Sequence, residues 1–219
     1  MTSGEILKQL EAWGDPKMRA VNMKHGAGEN HFGVNLSKLR TLAKQLKTNH
    51  PLALELWATG NVDAMLLATL IMNPKELTAK DLDAMMKKVS YFKISDWLVS
   101  YVLPKTKLAD DLLGRWRDSK AECSGRAGWS LMADKVKADA STVEEALQTI
   151  EAEMKKAPFR KQESMNYCLV MIGANYPEHR QRAIDIANKL EVLKDYPVPK
   201  GCTSPFAPIW IDYLVQRQK

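Results

Sequence analysis

Within the stretch Ser90-Tyr91-Phe92-Lys93-Ile94-Ser95-Asp96-Trp97-Leu98-Val99, three aromatic rings surround a single carboxylate. A carboxylate among rings is costly to bury unpaired, so its presence there needs a reason. Ser95 or Asp96 can serve as the cap of a helix running from about Trp97 to Leu103. Alternatively, Asp96 faces a cleft where aromatic faces and a negative charge meet a cationic ligand. Further along, Arg126 shares a helical stretch with Trp129, and Tyr167 follows Asn166 on a later one. Aromatic face, carboxylate and guanidinium are therefore the chemistry this chain offers. Each residue also has a plainer use: Phe92 and Tyr167 as core, Arg126 as the partner of a neighbouring carboxylate.

Other chemistries find little support. Gly26-Ala27-Gly28 is a fragment of a phosphate loop without a preceding strand. His25 and His31 are spaced so that they would not share a helix face, while His50 and His179 stand alone, so no metal site is expected. Cys123, Cys168 and Cys202 are odd in number and far apart, which fits a reducing compartment. No serine sits in a nucleophile elbow, and no cofactor is called for. The N-terminus lacks the basic and apolar regions of a signal peptide, and no run is long enough to cross a bilayer. The expectation is a cytoplasmic protein.

The chain of 219 residues carries a formal charge of +6, with 45% hydrophobic and 26% charged residues. A basic excess favours polyanion partners. Lys24, His25, His31, Lys38, Arg40, Lys44 and Lys47 form one basic cluster, and Lys155, Lys156, Arg160 and Lys161 a second. Lys38, Arg40 and Lys161 are the expected backbone contacts for such a partner. A charge run is as often only a solvated helix face.

Helices must position these groups, because almost every segment reads with helical spacing and none alternates convincingly as a strand. Leu36, Leu39, Leu42, Ala43 and Leu46 make one apolar stripe between Asn35 and Lys47. Three glycines break the chain between His25 and Gly33, and Gly173 is placed to end the helix that begins at Arg160. Small residues recur inside apolar helices at Ala68, Gly125, Ala127, Gly128 and Ser164, which lets paired helices stack closely. The expected architecture is all-α, a curved superhelical stack of HEAT-like repeats (an α-solenoid) forming a single domain over 1–219. In the tail from Lys194 to Trp210, the proline-rich segment from Asp195 to Pro208 is expected to pack back as a stiff loop before a last helix. In such an array Phe92, Asp96, Arg126 and Tyr167 would converge on the concave side.

Ordered landmarks along the chain carry a family resemblance. They are Gly33-Val34 before a basic helix with Leu39-Arg40, the Tyr91-to-Asp96 segment, Arg126-Ala127, Gln162-Glu163-Ser164-Met165-Asn166-Tyr167, and Lys200-Gly201-Cys202-Thr203-Ser204-Pro205 with Trp210. In these the chain resembles the AlkD-like DNA alkylation repair proteins, HEAT-repeat glycosylases acting on alkylated purines. The resemblance implies that Asp96 takes the place of the catalytic aspartate and Arg126 that of an arginine gripping a phosphate. Phe92 and Tyr167 fall where the family carries two tryptophans, a departure that weakens cation–π attraction. The implied function is excision of cationic N3- or N7-alkylated purines from duplex DNA by a monomer. Two other readings stand beside it: a non-catalytic relative recognising DNA shape, and a helical scaffold for a protein partner.

Overall fold

In the computed structural model, residues 1–218 are described. They form thirteen α-helices and no strand. The chain divides into two compact units, Met1–Leu112 and a second running from Leu113 to the end of the described residues.

The first unit holds α1 (Ser3–Ala12), α2 (Pro16–Lys24), α3 (Leu36–Leu46), α4 (His50–Ala58), α5 (Val62–Ile71), α6 (Ala79–Met86) and α7 (Phe92–Trp97). Short polar residues start most of them. Thr2 and Glu5 make a reciprocal capping box, and Asp15 caps α2 just ahead of Pro16. Asn35, Asn49 and Asn61 each accept a backbone N–H at the start of α3, α4 and α5. The α5 helix is apolar nearly all round because α3, α4 and α7 pack against it.

The glycine-rich loop between α2 and α3 is held by one side chain. Asp63, 2% exposed on α5, accepts from the backbone N–H groups of Phe32 (2.7 Å), Gly33 (3.2 Å) and Val34 (3.1 Å). Gly33 has φ +80°, and a Cβ there would stand 2.6 Å from the Arg19 backbone nitrogen. Only glycine fits this bend.

At the aromatic stretch the structure corrects the capping expectation. The α7 helix begins at Phe92, with Tyr91 at the N-cap and no side-chain cap, so Asp96 lies inside the helix. Beyond Trp97 the backbone widens into a π-helical turn, Leu98–Val102, then tightens into a 3-10 turn, Leu103–Lys105.

The second unit is entered along α8 (Ala109–Arg117) and contains α9 (Glu122–Ala138), α10 (Val143–Glu153), α11 (Phe159–Asn175), α12 (Pro177–Leu190) and α13 (Ala207–Gln216). The α11 helix packs against α9, α10, α12 and α13 and contributes Met165, Cys168, Leu169 and Ile172 to the core. Gly173 does not end it. The helix runs on to Asn175, and a Cβ at Gly173 would come 2.5 Å from Ile211 Cδ1 on α13. Gly128 lies against the backbone of Trp116 and Arg117, where a Cβ has no room. These glycines set helix spacing, as the small-residue pattern implies. The proline-rich segment is tied back to α11 by the Asn166 amide donating to the Pro205 carbonyl at 2.8 Å.

Candidate functional site

The basic face of the first unit is built on α3. Leu39 and Leu42 turn inward, which leaves Lys38, Arg40 and Lys44 exposed on the outer arc. No carboxylate occurs between Glu29 and Glu55, so this face has no acidic residue of its own. Two of its cations rest on indole rings. Lys38 Nζ is 5.8 Å from the Trp13 ring centroid, and Arg40 Cζ is 5.1 Å from that of Trp97. Arg40 Nε also donates to Tyr101 Oη at 3.3 Å, and Tyr101 meets Trp97 edge-on at 5.1 Å. Such contacts restrict long side chains that would otherwise lose entropy on binding a ligand.

Asp96 sits next to this cluster in sequence, half-buried on α7, one helical turn beyond the half-buried Phe92. The spacing of four residues puts both on one helix face. Phe92 meets Tyr91 edge-on at 5.0 Å. Lys93, between them, is directed to Asn22 Oδ1 at 3.3 Å, and burial lowers its ammonium pKa despite the opposing pull of Asp63.

In the second unit Arg126 is committed to a carboxylate. Its Nη1 donates to Glu163 Oε2 at 2.7 Å and to the Arg160 carbonyl at 3.2 Å. The other Glu163 oxygen accepts from Arg160 Nη1 at 2.9 Å. The three side chains are 14–19% exposed, so the cluster is sheltered without being dry. Tyr167, one turn beyond Glu163 on α11, is half-buried with its ring 5.7 Å from that of Trp210. Arg126, Lys161 and Tyr167 thus belong to the α9–α11 pair of this unit, and Phe92, Asp96, Lys38 and Arg40 to the other unit.

Lys161 departs from the solvated basic cluster expected of it. It is 6% exposed, with its stem against Gly125 and its ammonium turned to the Ser119 carbonyl at 3.4 Å. A Cβ at Gly125 would reach within 2.7 Å of Lys161 Cδ, so that glycine makes the space the lysine occupies. Lys155 and Lys156 remain exposed. Cys168 is equally enclosed, and burial pushes its thiol well above the ordinary range, which leaves it unreactive.

Sequence reasoning overlooked Asp63, the ring partners Trp13 and Tyr101, and the exposed Phe159, stacked on Tyr196 at 6.1 Å. Asp63 was hidden in an apolar run, and the ring pairs join distant segments. Only the Pro158-Phe159-Arg160 sequence, an aromatic beside a guanidinium at a helix start, gave any local signal.

Residues 6–200 match the family described as DNA alkylation repair enzyme. The chain belongs to that family. An uncharacterised protein of Listeria innocua is 23% identical over 98% of this chain and 96% of its own length. An uncharacterised protein of Listeria monocytogenes is 21% identical over the whole of both chains. A solved structure described as "a new family of proteins related to the HEAT-like repeat DNA glycosylases with affinity for branched DNA structures" superposes with a TM-score of 0.81. It is 28% identical and covers 100% of this chain and 95% of its own. The all-helical, HEAT-like fold class read from the sequence agrees with this neighbour. No described helix is long and apolar enough to cross a membrane.

Proposed function

We propose that this DNA alkylation repair family member binds DNA through the phosphate backbone and selects it by shape, with branched structures preferred. The observation that carries the reading is the outer face of α3, where exposed Lys38, Arg40 and Lys44 pair with no carboxylate among the described residues and two of the three are seated on rings. Cations held in place displace counterions from DNA without first losing side-chain freedom. The relative with affinity for branched DNA lends the shape preference. In the test, affinity for a three-way junction and a linear duplex is measured across salt. The expected result is a steep fall with salt and a reduction of the slope by about 2 in the Lys38→Glu, Arg40→Glu double variant. A flat salt response of the wild type would remove the reading.

A second reading, excision of cationic N3- or N7-alkylated purines, is favoured by Asp96, half-buried on a helix that opens into a π turn, a feature frequent at functional sites. An ionised Asp96 would stabilise positive charge building on the deoxyribose and orient the attacking water, with Phe92 on the same face of its helix. It ranks second because the Arg126 guanidinium already serves Glu163, and because phenyl and phenol attract a cation less than indole does. Release of methylated purine from alkylated DNA, reduced at least about 100-fold in Asp96→Asn, would establish it. Wild type without release would end it and leave DNA binding standing.

A further inference from the structure

We propose that the ring pair Phe159–Tyr196 is a stacking platform for an unpaired DNA base, with exposed Lys155, Lys156 and Lys200 close to it in sequence. The proposal deepens the DNA-binding reading and rests on it. Phe159 is 43% exposed, and its ring lies 6.1 Å from that of Tyr196 with the planes only 14° apart. Single exposed apolar side chains are ordinary, but here a near-parallel pair is joined by a third planar group. Arg160 Cζ stands 5.2 Å from the Phe159 ring centroid.

The platform is held from below. Glu163 fixes the Arg160 guanidinium and is itself held by Arg126, while Glu122 Oε1 accepts from the Arg160 backbone N–H at 2.9 Å. The Arg126 landmark therefore reaches the surface through Glu163 and Arg160 and ends at an exposed aromatic side chain. Tyr196 is set by the turn that follows α12, its N–H donating to the Leu193 carbonyl, and Pro197 follows it directly. Lys155, Lys156 and Lys200 are exposed. Of the acidic residues nearby in sequence, Glu191 is paired with Lys194 at 2.6 Å. Glu153 and Asp195 remain exposed there, which leaves the surroundings only mildly basic.

The occupant follows from this chemistry. Every nucleobase has a π-face, and stacking on an aromatic ring with a basic edge for the phosphate binds single strands with little regard to sequence. Bases within a duplex are covered by their neighbours and cannot use the platform. A branch point, flap or gap supplies a base that can, which gives a physical basis for preferring branched over linear DNA.

The test is equilibrium binding of the full chain to a duplex with two splayed oligothymidine arms and to a fully paired linear duplex of equal length. Phe159→Ala is expected to lose about tenfold or more on the splayed substrate and to stay within about twofold on the linear one. Phe159→Trp should retain wild-type binding. Phe159→Leu, which keeps apolar bulk without a π-face, should fall with the alanine variant, and unchanged melting would separate lost stacking from lost folding. Unchanged binding of Phe159→Ala to splayed arms would overturn the platform while sparing DNA binding by α3. A wild type that binds neither substrate would overturn both.

Discussion

Asp63 in the first unit and Glu163 in the second both project from the helix at the centre of their unit, and both gather at least one donor from another segment of the chain. They do different work. Asp63 takes three backbone N–H groups and so fixes the path of a loop, whatever side chains that loop carries. Glu163 takes two guanidinia, one on each oxygen, and so fixes side chains while the backbone is held by its own helix. A carboxylate of the first kind is a folding element; one of the second kind prepares a surface. The contrast explains why the Gly33-Val34 and Arg126 landmarks differ in meaning.

The comparison can be broken at several points. Asp63→Asn should show the largest effect, since an amide cannot accept from all three N–H groups and turns a donor toward at least one of them. A loss of about 3 kcal/mol in chemical denaturation is expected. A loss below about 1 kcal/mol would mean the loop is held by something else. Gly33→Ala should cost about 2 kcal/mol or more, combining a left-handed backbone with the contact to Arg19. Glu163→Gln should cost less, about 1–2 kcal/mol, because two sheltered guanidinia lose their counter-charge yet still reach some water. Its sharper consequence is functional: affinity for splayed-arm DNA should fall with little change on linear duplex, as Arg160 loosens under Phe159. Arg126→Ala should lower the melting midpoint measurably, as befits a residue paired within the fold; an unchanged midpoint with weakened DNA binding would restore its role as a phosphate grip. The smallest stability change, within about 0.5 kcal/mol, is expected for Arg40→Gln, an exposed position whose loss should register in the salt dependence of DNA binding.

Much of the helical order was legible because two local signals agreed, the apolar stripe and the capping residue ahead of it. The α3 helix shows both in Asn35 and in Leu39 with Leu42. Where they disagreed, the reading slipped. Ser95-Asp96 looks like a cap, but burial of Ile94 and Trp97 draws the helix start back to Phe92, which no side chain caps. Gly173 looks like a terminator, yet its lack of a Cβ serves the approach of Ile211. Lys161 looks solvated because it belongs to a run of basic residues of which Lys155 and Lys156 are exposed, while the space beside Gly125 that takes its stem is set by packing of α9 on α11. The candidate site was harder to see than the fold. Asp63 and the Phe159–Tyr196 pair act through partners brought near only by tertiary packing, and Glu163 joins its helical neighbour Arg160 to the distant Arg126.

The wide turn at Leu98–Val102 acts as a phase shifter. One surplus residue in a helical turn rotates everything downstream by about 100° relative to a regular helix. Tyr101 lies within that turn, where its phenol oxygen accepts from Arg40 Nε and its ring meets Trp97 edge-on, so removing a residue ahead of it would turn the phenol about the axis by about a quarter revolution. One residue more or fewer at this place would thus re-aim an aromatic ring of this chain while leaving the Arg40 helix as it is.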